Sequence, residues 1–287
     1  EGPGGVLVVP ALTGVLANDT ANQDVTGEQL GQAIRDDLTH TLTGPDAPYN
    51  LVFTTNGIAC TTATVIAATL GYSDLADIED IDRIRRAHLL LAMFNALQPG
   101  VFALSGWDLC GMLTLPADQV SELLRGGDTR WIHRAAHDLM GVNPDATHSS
   151  EGMPRGTSLY GSIPEQLADE TSFLRQLQAI LRVRTHFGIA TSRQIDIPEV
   201  SQRGMLVLVH QLDAVNQYQL TVLNFANEDV TGTVRSEKLP PGSEVSDMFS
   251  GKALATVDDL HSFSVELSAH HGLSLLVEAP VDEPSQD

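Results

Sequence analysis

The sequence predicts an α/β region followed by an all-β region. Two observations carry this reading. Over the first 110 residues short apolar runs alternate with longer amphipathic stretches, the order expected of a parallel sheet with helical crossovers. After Gly188 the apolar spacing changes from helical to strand-like and turn signals recur, as in a small antiparallel sandwich. The expected divisions are residues 1–190, residues 194–279 and an acidic tail, 280–287.

Taken in order, the run at 5–9 reads as a buried strand stopped by Pro10. Residues 26–42 read as a surface helix, with Thr26 as N-cap and Leu30, Ile34, Leu38 and Leu42 on one stripe. Residues 49–57 form a second strand ending at Asn56-Gly57, and "ACTTATVIAATLG" a buried helix ending at Gly71. In "DLADIEDIDRIRRAHLLLAMFNALQPG" acids come first and arginines later, which suits the helix dipole, and Pro99-Gly100 ends the helix. Val101 to Leu104 is the third strand, broken at Gly106, with Trp107 and Asp108 in the loop after it. An irregular stretch with two short helices around Gly126-Gly127 leads to a firm helix over 169–187. Five strands follow, at 204–212, 218–226, 230–235, 262–268 and 273–279, and "KLPPGSEVSDMFSGK" is read as a connection.

Thirty-seven acidic residues face sixteen Lys and Arg, a formal net charge of −21, and only Lys238 and Lys252 are lysines. A field of this sign repels nucleic acid and anionic membrane, so neither is an expected partner. No apolar run is long enough to span a bilayer, and the expected location is the cytoplasm. Two cysteines, Cys60 and Cys110, both in apolar surroundings, are not a disulfide framework.

Several chemistries lack their motifs. "EGPGG" precedes a strand instead of following it, and "RGGD" lacks the lysine of a phosphate loop. His270 and His271 would point apart in a strand. His133 and His137 could share a helix face but have no third ligand, so no metal and no cofactor is expected. Ser105 follows a strand without the flanking glycines of a nucleophile elbow. What remains is loop carboxylates (Asp19, Asp108, Asp128) beside aromatic rings, Trp107-Asp108 and Arg130-Trp131. Carboxylates with an aromatic platform are the equipment of sugar-processing sites.

The order of these pieces resembles the α-amylase family. "RRAHLLLAMFNALQPGVFALSGWDLCG" is similar to the family's approach to its last barrel strand: a helix, Pro99-Gly100, an apolar run, Gly106, an acid at 108 and Gly111. A loop with Asp128, Thr129 and Arg130 follows, then the helix "SFLRQLQAILRVRTHFGI". "LTVLNFAN", "VSDMFSGK" and "LSLLVE" are similar to pieces of the family's C-terminal sandwich. The nearest subgroup is trehalose synthase-like or maltose glucosyltransferase-like. The resemblance implies the latter part of a (β/α)8 TIM barrel, ending near residue 190, plus a C-terminal antiparallel β-sandwich.

It also implies an activity: α-glucoside processing by a retaining hydrolase or transglycosidase, on a disaccharide or oligosaccharide. Trp107 would offer its ring to the sugar and Asp108 would accept hydroxyl hydrogen bonds. Thr55 and Asn56 would sit at the strand end nearest the reacting bond, and Arg130 and Trp131 would wall an outer subsite. Departures from the family pattern are equally plain. No G-x-R-x-D string supplies a nucleophile, Glu1 does not match the general acid, and Thr54-Thr55-Asn56-Gly57 stands where the family has His-Asp. Two readings follow. In one the chain works with a missing N-terminal half or another subunit. In the other it is a catalytically degenerate carbohydrate-binding or partner subunit.

Overall fold

A computed structural model describes residue 36 and residues 51–54, 57–72 and 80–280 of the chain. The strand expected at 5–9, the helix at 26–42 and the tail at 281–287 lie outside the described residues. Thr55 and Asn56 do too. What is described is an α/β region followed by two antiparallel sheets. The described residues divide into two compact units, those up to residue 88 with 103–176, and 89–102 with 177–280.

The first unit begins with β1 (Leu51–Thr54) and β2 (Gly57–Ala59), which pair antiparallel, Val52 opposite Ile58. Among the described residues β2 is the strand that pairs with β1. Helix α1 (Thr62–Thr69) follows, capped by the Thr61 hydroxyl and ended before Gly71, as the sequence predicts. Helix α2 (Ile81–Ala96) begins in this unit and ends in the second.

Residues 101–104 form no strand. Val101 is 97% exposed, and no neighbouring strand among the described residues offers it a ladder. Apolar β-branched character alone does not make a strand without a partner. The residues after it are not a loop but a short helix, α3 (Gly106–Cys110). A 3₁₀ turn over Ala117–Val120, α4 (Ser121–Leu124) and a second 3₁₀ turn over Thr129–His133 come next. Helix α5 (Ile163–Ala168) carries a full capping box, Ser162 with Glu165. Helix α6 (Phe173–His186) confirms the firm helix expected there.

The second unit holds the strands β3 (Arg193–Asp196), β4 (Glu199–Val200), β5 (Met205–Gln211), β6 (Gln217–Asn224), β7 (Val230–Arg235), β8 (Glu244–Asp247), β9 (Ala253–Thr256), β10 (Ser262–Leu267) and β11 (Gly272–Glu278). They make a six-stranded sheet, β3-β5-β6-β11-β8-β9, and a three-stranded sheet, β10-β7-β4. The segment read as a connection thus contains β8. The two sheets share one core, in which Val207, Leu220, Val222 and Leu275 of the larger meet Val234, Phe263 and Val265 of the smaller.

The other face of the larger sheet is buried as well, and it is partly polar. His210 stands opposite Gln219, and Thr221 opposite Ser274. Gln219 Oε1 lies 2.7 Å from His210 Nδ1, while its Nε2 donates to Thr221 and Ser274. Gly272 lies on this face, where a Cβ would stand 2.8 Å from Leu223 and 3.0 Å from Met93 of α2.

Arg184 of α6 settles the end of α2. Its guanidinium is buried, has no carboxylate partner among the described residues, and donates to the carbonyls of Ala96, Gln98 and Gly100. Those are acceptors that a helix end and its following turn leave open. Replacing Arg184 with Met should lower stability by about 1.5–3 kcal/mol, the worth of charged hydrogen bonds to stranded carbonyls. Lysine should recover only part, since an ammonium has no planar fork. Urea unfolding of both variants checks this, and a methionine variant as stable as the parent would refute it.

Candidate functional site

The first unit brings together most of the site residues that the sequence points to. Their common support is a small core of Cys110, Met112, Leu115, Val120, Ile132 and Ala135. Trp107 and Trp131, the only two tryptophans of the chain, both pack against it. The β1–β2 hairpin also lies against the 3₁₀ turn that carries Arg130 and Trp131.

Trp107 is half-buried on α3 and stacks on His133, centroids 5.5 Å apart and planes 25° apart. His133 enters the site through this stack, which no sequence spacing announces. Its imidazole is pushed below the usual histidine value, by burial first and by the Arg134 charge second. Neutral imidazole is thereby favoured on the ring that backs Trp107.

Asp128 is the N-cap of the 3₁₀ turn, accepting from the Arg130 N–H at 3.0 Å. The Arg130 guanidinium also grips it with Nε at 2.8 Å and Nη2 at 2.9 Å, a two-pronged contact. Arg134 approaches the same carboxylate at 3.5 Å and lies over the Trp131 ring, 5.1 Å from its centroid. Arg130, Trp131 and Arg134 are thus held in one arrangement by a single acid. This sets the Trp131 indole ring next to a fixed guanidinium and a carboxylate, groups able to contact a polar molecule with apolar faces.

Asp108 is placed differently from its neighbours. It is 5% exposed, and one carboxylate oxygen accepts from the Ser105 N–H at 3.2 Å. The Ser105-Gly106-Trp107-Asp108 order is the sequence signature of such a helix start. At the other end of α3, Gly111 has φ +61°, and a Cβ there would lie 2.6 Å from Tyr160. Gln166 clamps the same helix by donating to Leu109 O at 2.7 Å.

Cys60 and Cys110 are free thiols, and burial pushes Cys60 up to about 12. Among the described residues no group of three or more His, Cys, Asp or Glu is placed to hold a metal. No helix among them is long and apolar enough to cross a membrane. An open cleft of about 540 Å³, whose lining includes Gln119, His148 and Arg155, contains none of the sequence-derived site residues.

No family model matches this chain, and no curated protein matches it in sequence. Its fold is similar to part of the trehalose-6-phosphate hydrolase of Bacillus licheniformis, with a TM-score of 0.51 and 11% identity over 71% of this chain and 40% of that one. It is also similar to a variant of the isomaltulose synthase of Erwinia rhapontici solved with D-glucose, with a TM-score of 0.50 and 12% identity over 70% of this chain and 40% of that one. At such identities the likeness is one of fold. The chain spans about two fifths of the length of these solved structures.

The grip of Arg130 has a measurable consequence. It holds the Asp128 carboxyl at about 2, below the ordinary value of 3.8, through the side-chain hydrogen bond first. A depressed folded-state value means that the contribution of this ion pair is present above the unfolded value and fades as pH falls toward 2. The carboxyl-carbon chemical shift of Asp128 should titrate near 2, and a midpoint near 4 would show that the grip does not persist in solution.

Proposed function

We propose that the chain takes part in α-glucoside processing of the retaining hydrolase or transglycosidase type, nearest to trehalose synthase-like enzymes, and supplies part of the sugar pocket. The observation that carries this reading is the pair of tryptophans held on one small core, with Arg130 fixed beside Trp131 by Asp128. The shared fold with a trehalose-6-phosphate hydrolase and an isomaltulose synthase supports it. In this reading Trp107 and Trp131 offer their faces to pyranose rings, whose axial C–H groups pack on an aromatic surface. Arg130 donates to hydroxyls at an outer subsite. Thr55 and Asn56, which lie between β1 and β2 in the sequence, are assigned to the reacting bond.

Asp108 contributes from behind the surface, by shaping the helix that bears Trp107. The reaction runs through a covalent glucosyl intermediate, which requires a nucleophile and a general acid. Those come from another part of a longer protein or from a partner chain, in the cytoplasm. The absence of a G-x-R-x-D string favours one alternative, a carbohydrate-binding or partner subunit that has lost catalysis.

Calorimetry of the full chain with maltose and trehalose tests the binding that both readings share. A Trp107→Ala variant that keeps its thermal midpoint should bind about tenfold more weakly, since stacking and ring burial together are worth about 1.4 kcal/mol or more. Equal affinity would make Trp107 a packing residue and end the reading. Turnover of either sugar by the native full-length polypeptide separates the enzyme from the degenerate subunit.

A further inference from the structure

Asp108 has two oxygens and only one of them has a hydrogen-bond partner. Oδ2 takes the Ser105 N–H, while Oδ1 is buried without a donor within bonding distance. The nearest cation-capable atom is Nε2 of His88, 3.6 Å away, and that atom is also buried without a partner. His88 is 1% exposed, and its ring lies 4.7 Å from the Phe173 ring and 5.8 Å from the Tyr160 ring. Its Nδ1 stands 3.0 Å from the Tyr160 hydroxyl.

One assignment of hydrogens accounts for both leftover atoms. Burial, and after it the Asp108 charge, push the Tyr160 phenol upward, so it keeps its proton and donates to Nδ1. An imidazole that accepts at Nδ1 carries its hydrogen on Nε2, the atom facing Asp108. The line Tyr160 to His88 to Asp108 is then a directed chain ending on the carboxylate. It is not an exposed catalytic triad: all three groups are packed inside the first unit, and Tyr160 is stacked on Phe173 at 5.2 Å.

We propose that His88 and Tyr160 are positioning residues, which hold α3 and the Trp107 ring in place through Asp108. Without His88 the buried Oδ1 has no compensating donor, and a stranded carboxylate oxygen is expensive to keep from water. The relief open to it is movement of α3, and Trp107 is the residue next to Asp108. The link to sugar binding rests on the proposed function; the hold on Trp107 does not.

A Trp131→Phe background leaves Trp107 as the single indole, and its emission and acrylamide quenching report its setting with no sugar present. Asp108→Ala is the decisive variant because it removes the acceptor of both Ser105 N–H and His88 Nε2–H, whereas an asparagine amide could be met by the other His88 tautomer. The emission should shift to the red, and the quenching constant should rise about twofold as the ring loosens. His88→Ala should do the same, and His88→Gln, whose amide nitrogen reaches the Nε2 position, should restore at least half of the change. Unchanged emission in Asp108→Ala, or a glutamine variant at His88 no better than alanine, overturns the proposal. Maltose titration of the parent is the separate arm: absence of binding defeats the sugar reading, while the emission data alone decide the positioning role.

Discussion

The guanidinium of Arg184 is the interaction on which the second unit depends. A helix ends with open carbonyls at the negative end of its dipole, and a cation there is favourable on both counts. Arg184 meets three of those carbonyls, at Ala96, Gln98 and Gly100, from a helix more than eighty residues further along the chain. Burial pushes the guanidinium below its usual value, yet arginine stays charged far above neutral pH. The Gly100 N–H also donates to Ala190 O at 2.8 Å, so the turn is held from both of its polar sides. Local sequence ends the helix at Pro99-Gly100; a distant side chain decides how it ends.

The first unit uses the same strategy with a different sign. Where α2 ends on a cation, α3 and the 3₁₀ turn at Thr129–His133 begin on carboxylates, Asp108 and Asp128. The two acids look alike in the sequence, each in a Gly-bounded polar stretch beside a tryptophan. In the fold they are opposites. Asp128 is gripped by arginines at the surface, and Asp108 faces inward to a histidine. Burial separates a residue that can meet a ligand from one that sets the frame for it.

The long strands were legible because their residues carry the signal themselves. β5, β6, β7, β10 and β11 begin and end within two residues of the expected bounds, each with β-branched or leucine-rich runs flanked by turn residues. β3, β4, β8 and β9 were not, because they are short and largely exposed, and they owe their existence to pairing with distant strands. Residues 101–104 fail in the reverse sense, with strand-forming residues and no partner. Ser105-x-x-Asp108 carries the signal for the start of α3, but the apolar run before it carries a competing strand signal. His88 could not be singled out: it lies at helical spacing among apolar residues, and its partners are 20 and 72 positions away.

The polar ladder on the second buried face of the six-stranded sheet does more than fill space. Side chains alternate strictly along a strand, so a slip of β6 by one residue would carry Gln219 and Thr221 into the aliphatic core. It would also leave His210 and Ser274 without their partners, in a place water does not reach. Both errors are penalised at once, whereas a purely aliphatic face would tolerate the slip at much lower cost. The ladder thus acts as a proofreading key, admitting one alignment of β5, β6 and β11 and rejecting its near neighbours during folding.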